Sequence, residues 1–108
     1  MERIDTMKLK QLVKDISDIT VKGSKDVEIS GITSNSKMVS PGNLFVAKRG
    51  QVSDGNQYIP EAMKAGAICV LTDIYDPSLQ LVQIISDDVV EVEALLARNY
   101  YQNASEDL

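Results

Sequence analysis

Tyr58-Ile59-Pro60-Glu61-Ala62-Met63-Lys64-Ala65-Gly66-Ala67-Ile68-Cys69-Val70-Leu71 changes its hydrophobic period at Gly66. Before the glycine, Tyr58, Ile59, Ala62 and Met63 recur at helical spacing, which predicts a helix over 57–65 with one apolar face. Pro60 fits only in the first turn, where its missing N–H costs nothing. Asn56 is placed to cap the helix start, and Gly66 suits the left-handed residue that closes a helix. After it, Ala67 to Leu71 is unbroken apolar sequence, as expected of a strand covered on both faces.

The same alternation of helix and strand extends in both directions. Leu9, Leu12, Val13 and Ile16 share a face, so a helix is predicted over 7–16, with Thr6 as its cap. Residues 27–33 alternate as one strand. Pro41-Gly42 marks a type II turn, and Leu44 to Ala47 a buried strand. Asp76-Pro77 is a further turn, and Leu81 to Ile85 a further strand. Ser86, Asp87 and Asp88 offer caps for a last helix. Its buried stripe is Val89, Val92, Leu96 and Tyr100, widened by Val90, Ala94, Ala97 and Tyr101. The expected fold class is α/β: a single small domain with a sheet of about four to five strands covered by helices.

The chain has 108 residues, 44% hydrophobic and 25% charged, with a net charge of −5. That size is one domain, large enough to bury a core unaided. The acidic balance argues against a nucleic-acid partner and against docking on an anionic membrane. No apolar run approaches the ~20 residues of a membrane span. With one cysteine and no histidine, an internal disulfide and histidine catalysis are excluded, and no metal site is expected. A cytoplasmic, reducing setting is the natural reading. Neither a G-x-x-x-x-G-K-[ST] phosphate loop nor a G-x-G-x-x-G fingerprint occurs. No catalytic residue, bound cofactor or metal is therefore assigned, and a binding role is favoured.

Two polar segments are candidates for that role. Thr33-Ser34-Asn35-Ser36-Lys37 follows a strand, and ligands of α/β sheets collect at strand ends. Lys48-Arg49-Gly50-Gln51-Val52-Ser53-Asp54-Gly55 is a loop whose glycines allow close backbone approach and whose cations attract phosphate. Taken singly, an ordinary polar turn and a solvated connection account for each.

Taken together, Gly31-Ile32-Thr33-Ser34-Asn35-Ser36-Lys37, Pro41-Gly42-Asn43-Leu44-Phe45-Val46-Ala47, Gly50, Asp54-Gly55-Asn56-Gln57-Tyr58-Ile59, Ala62 and Ala65-Gly66-Ala67 resemble the N-terminal domain of the Mur ligase family in order and spacing. Ala94 to Leu108 is similar to the A-R-F-Y-x-N-P-S-x-x-L stretch of its tripeptide synthetase branch, the MurE type. The resemblance implies a domain over 1–108 that holds the UDP moiety of UDP-N-acetylmuramoyl-L-alanyl-D-glutamate, with Ser34, Ser36, Gln51, Val52 and Ser53 as its substrate-binding residues. It implies that residues 1–6 are flexible and that 102–108 is a linker toward ATP-binding and C-terminal domains of a longer enzyme. That enzyme would use ATP and magnesium to add the third peptide residue in peptidoglycan synthesis, and this chain alone would be inactive. The alternatives are the sister ligase adding D-alanyl-D-alanine, whose first domain is similar, and a protein-interaction module without a ligand. Asn35 and Asn43 stand where the family carries Asp, and Lys37 where it carries Arg. Asn and Lys do not reproduce a bidentate Asp–Arg pair, and Asn43 is read as altering only a turn.

Overall fold

The computed structural model describes residues 6–47 and 59–106. The expected flexible start (residues 1–5 of it), the loop Lys48 to Gly55, Asn56 as a cap and Tyr58 as a core residue lie outside the described residues. The elements run β1 (Met7–Lys8), α1 (Leu9–Leu12), β2 (Thr20–Lys22), β3 (Glu28–Ile29), β4 (Gly31–Thr33), a 3-10 turn (Ser36–Met38), β5 (Asn43–Val46), α2 (Ile59–Ala65), β6 (Cys69–Thr72), β7 (Val82–Ile85) and α3 (Val89–Glu106). The five-stranded sheet has the order β2-β7-β6-β5-β4, and β1 and β3 form a separate two-stranded ribbon. Strands β4 to β7 are mutually parallel, while β2 runs antiparallel to β7 along one edge. The α/β expectation is borne out.

Side chains alternate across the strands as the pleat requires, so the sheet has two cores. Leu44, Val46, Cys69, Leu71, Val82 and Ile84 face one side and pack with Leu9, Leu12, Val92, Leu96 and Tyr100. Phe45, Ala47 and Val70 face the other and pack with Ile59 and Ala62 of α2. Helix α2 therefore covers one face, and α1 with α3 the other. Cys69 has no exposed surface, and burial pushes its thiol far above the ordinary cysteine range.

The Gly66 expectation holds in detail. Ala67 N–H donates to Ala62 O at 3.0 Å and Gly66 N–H to Met63 O at 3.1 Å, the paired bonds of a Schellman motif. Gly66 has φ +114°, and a Cβ there would lie 2.6 Å from Pro41 Cα. The Pro41-Gly42 turn is also as predicted. Asn43 N–H donates to Ser40 O at 3.1 Å, and Gly42 takes φ +88°. The two turns lock through Gly42 N–H to Gly66 O, 2.9 Å. In α3, Asp88 caps as expected, its Oδ1 accepting from Glu91 N–H at 3.1 Å.

Other expectations are corrected. The first helix covers only Leu9–Leu12, because Met7–Lys8 pair with Glu28–Ile29. The amides of Leu9 and Lys10 donate to Val27 O and Lys25 O. Leu9, Leu12, Val13 and Ile16 are nonetheless all buried, so the periodicity marked the correct face and not the helix length. Thr6 is no cap: its hydroxyl donates to Glu28 Oε1 at 2.9 Å, and the helix has no side-chain cap. The single strand over 27–33 is two strands, broken at Ser30 and paired in different sheets. Strand β2 was not foreseen; its only signal is the β-branched Ile19-Thr20-Val21. Val90, Ala94 and Tyr101 do not widen the buried stripe of α3: all three are exposed, Val90 to 64% and Tyr101 to 57%. Helix α3 continues to Glu106, where no Gly or Pro stops it.

Asn43 does more than alter a turn. Its side chain is buried, its Oδ1 accepts from Ser40 N–H at 2.9 Å, and its Nδ2 donates to Ser30 Oγ at 3.2 Å.

Two outcomes follow from this packing. Gly66→Ala combines a disfavoured φ with a backbone collision, so it lowers unfolding free energy by about 1–3 kcal/mol, measured as a fall in the urea midpoint. The Cys69 thiol stays unmodified by a thiol-specific reagent in the native chain and reacts at the rate of global unfolding.

Candidate functional site

The register of the parallel sheet builds the site. Gly31, Ile32 and Thr33 of β4 lie opposite Asn43, Leu44 and Phe45 of β5. Both strands run in the same direction, so their C-terminal ends emerge on the same edge of the sheet, side by side. Ser34 to Lys37 leaves from one end and the chain after Ala47 from the other. Strand β6 ends on the same edge at Thr72, which is fully buried, and is followed by Asp73, whose Oδ1 is buried.

The polar segment after β4 is organised by its own side chains. Thr33 Oγ1 accepts from Asn35 N–H at 3.1 Å. Asn35 Oδ1 accepts from Lys37 N–H at 2.9 Å, capping the 3-10 turn. An aspartate at this position accepts the same bond, so the Asn for Asp replacement preserves the turn. Asn35 is spent on local geometry. Ser34 is exposed, Ser36 half-buried, and the Lys37 side chain exposed.

Ser36 is the member of this segment tied to another element. Its hydroxyl donates to Glu61 Oε1 at 3.2 Å, linking the turn to the first turn of α2. Glu61 was missed by sequence reasoning, because its contact spans 25 residues and no local pattern announces it. Ser34 and Ser36 therefore stand together at the sheet edge. Gln51, Val52 and Ser53 lie outside the described residues, and the structure brings together only the strand ends from which the two segments leave.

Hollows among the described residues lie away from this segment. One, of about 740 Å³, lies at the opposite edge of the sheet between Lys22, Met63, Tyr75, Leu79, Leu81 and Val82, with Lys22 Nζ 5.4 Å from the Tyr75 ring centre. The other, of about 530 Å³, is walled by Asp15, Asp18, Asp87, Asp88 and Glu91 beside the start of α3, and its charge disfavours an anion. Among the described residues no group of His, Cys, Asp or Glu could hold a metal ion. No described helix is long and apolar enough to cross a membrane.

Comparison with known proteins agrees with this arrangement. The family model described as "Mur ligase family, catalytic domain" matches residues 28–104. A UDP-N-acetylmuramoyl-L-alanyl-D-glutamate--2,6-diaminopimelate ligase of Chlamydia trachomatis serovar D is 37% identical over 102 residues, covering 94% of this chain and 21% of the relative. The ligase of the same name from Bacteroides fragilis is 39% identical over 67 residues, 62% of this chain and 14% of its own. The chain thus spans about a fifth of the length of the curated relatives it matches. Among solved structures, a MurF from Acinetobacter baumannii superposes with a TM-score of 0.75 at 16% identity, over 97% of this chain and 23% of that one. A MurF ligase from Thermotoga maritima, solved with ADP, gives 0.56 at 30% identity, over 67% and 17%. With a family match over most of its length and the same small α/β architecture, the chain belongs to the Mur ligase family.

Proposed function

We propose that this chain anchors the UDP end of UDP-N-acetylmuramoyl-L-alanyl-D-glutamate for an ATP-dependent ligase that adds the third peptide residue in peptidoglycan synthesis. The observation that carries the reading is the parallel pairing of β4 with β5, which launches Ser34 to Lys37 and the segment containing Gln51, Val52 and Ser53 from neighbouring strand ends. Ser34, Ser36, Gln51, Val52 and Ser53 are the residues proposed to contact the nucleotide, with Lys37 adding positive charge near the diphosphate. The relatives' names favour 2,6-diaminopimelate as the amino acid joined, and they favour the tripeptide synthetase over the sister ligase. The likeness to the Acinetobacter MurF, at 16% identity, speaks for the shared fold.

Anchoring of this kind contributes to catalysis at a distance. Binding energy gained on a non-reacting handle positions the carboxylate that reacts elsewhere. The residues of this chain do not fit ATP and magnesium: its sequence has no phosphate loop, and no described cluster fits a metal. Those cofactors are assigned to other domains of a longer ligase, acting in the cytoplasm, and residues 102–108 lead toward them. The chain by itself is expected to bind weakly and to turn nothing over.

Titration of the chain with UDP-N-acetylmuramoyl-L-alanyl-D-glutamate, followed by amide chemical shifts, is expected to move Ser34, Ser36 and Gln51 to Ser53 together. Absence of localised shifts at millimolar ligand favours an interaction module instead. Lys37→Gln is expected to weaken binding by about two- to fivefold at low salt, with the difference closing near 0.5 M salt because an exposed charge is screened. A salt-independent loss contradicts the electrostatic role.

A further inference from the structure

A serine hydroxyl has one proton and two lone pairs. In Ser36 the proton is directed at the Glu61 carboxylate, 3.2 Å away at the surface, a long bond to a charged acceptor. While that bond stands, Ser36 offers a ligand only lone pairs. A phosphate oxygen also has only lone pairs and negative charge, and it meets in addition the repulsion of Glu61. The Ser36 hydroxyl is thus matched to a hydrogen-bond donor and mismatched to the diphosphate.

We infer that Glu61 is a positioning residue that sets Ser36 as an acceptor, so that Ser36 reads a donor group of the nucleoside, the uracil imide N–H or a ribose hydroxyl. This rests on the nucleotide-anchoring reading above and refines it by dividing the segment: Ser36 takes the nucleoside, and the diphosphate lies toward Lys37. Glu61 touches no ligand in this arrangement and acts through Ser36. Its side chain is exposed at the start of α2, so replacing it leaves the core intact.

The test uses the 108-residue chain, with UDP and three analogues each lacking one donor: N3-methyl-UDP, 2′-deoxy-UDP and 3′-deoxy-UDP. Affinities are read from amide shifts, with melting curves confirming the fold of each variant. For the unaltered chain, one analogue is expected to bind about three- to tenfold more weakly than UDP, the worth of one hydrogen bond. Glu61→Ala should weaken UDP and erase that analogue's penalty, as Ser36→Ala should. Glu61→Gln, whose amide oxygen still accepts from Ser36, should keep both. Tighter UDP binding by Glu61→Ala overturns the inference, because it means that Ser36 was freed to donate to phosphate. Equal binding of all analogues, or penalties unchanged by Glu61→Ala, overturns it too while leaving nucleotide anchoring intact. Absence of UDP-induced shifts at Ser34 and Ser36 in the unaltered chain overturns both.

Discussion

Ser30 makes four hydrogen bonds at the point where the chain passes from one sheet to the other. Its N–H donates to Gly42 O and its hydroxyl to Pro41 O, both at 2.9 Å. That hydroxyl accepts from Asn43 Nδ2, and its carbonyl accepts from the Tyr100 hydroxyl at 2.9 Å. Three elements thus converge on one residue: the turn before β5, the start of β5 and the far end of α3. Gly66 O, holding Gly42 N–H, adds the end of α2. Ser30 is half-buried, so each such bond is worth about 0.5–1.5 kcal/mol, and together they favour this register over its alternatives. The knot sits at the N-terminal ends of β4 and β5. It fixes which residues face each other, and hence that β4 and β5 end side by side at the opposite edge.

Charge along that edge is mixed. The chain is acidic as a whole, and the carboxylates that line a hollow, Asp15, Asp18, Asp87, Asp88 and Glu91, gather beside the start of α3, after β7, two strands from β5 on the same edge. The 3-10 turn carries Lys37, and its cap, Asn35, is neutral. Glu61 is the exception, and its hydrogen bond to Ser36 turns that charge into a constraint on a single hydroxyl.

Much of this was legible in the sequence because it depends on local chemistry. Pro41-Gly42 specifies its turn and Gly66 its helix end through φ alone. The apolar run at Cys69 to Leu71 specifies a strand covered on both faces. What was illegible depends on pairing between distant residues. Met7 and Lys8 adjoin a helical pattern yet form a strand, because Glu28 and Ile29 lie beside them. Ser30 breaks an apparently continuous strand because Gly42, Asn43 and Tyr100 claim its polar groups. Val90 and Tyr101 are apolar but exposed, since hydrophobicity alone does not state which flank of a helix meets the sheet. Of the candidate site, residue types and strand ends were readable; the partner of Ser36, distant in sequence, was not.

The proposed anchoring requires the uridine diphosphate to lie against the edge where β4 and β5 end. Intermolecular nuclear Overhauser effects from the uracil H5 and H6 protons of bound UDP locate it directly. Contacts to Ser34, Asn35 and Ser36 are the predicted result. Contacts instead to Tyr75, Leu79 and Leu81, in the hollow at the opposite edge, would contradict it.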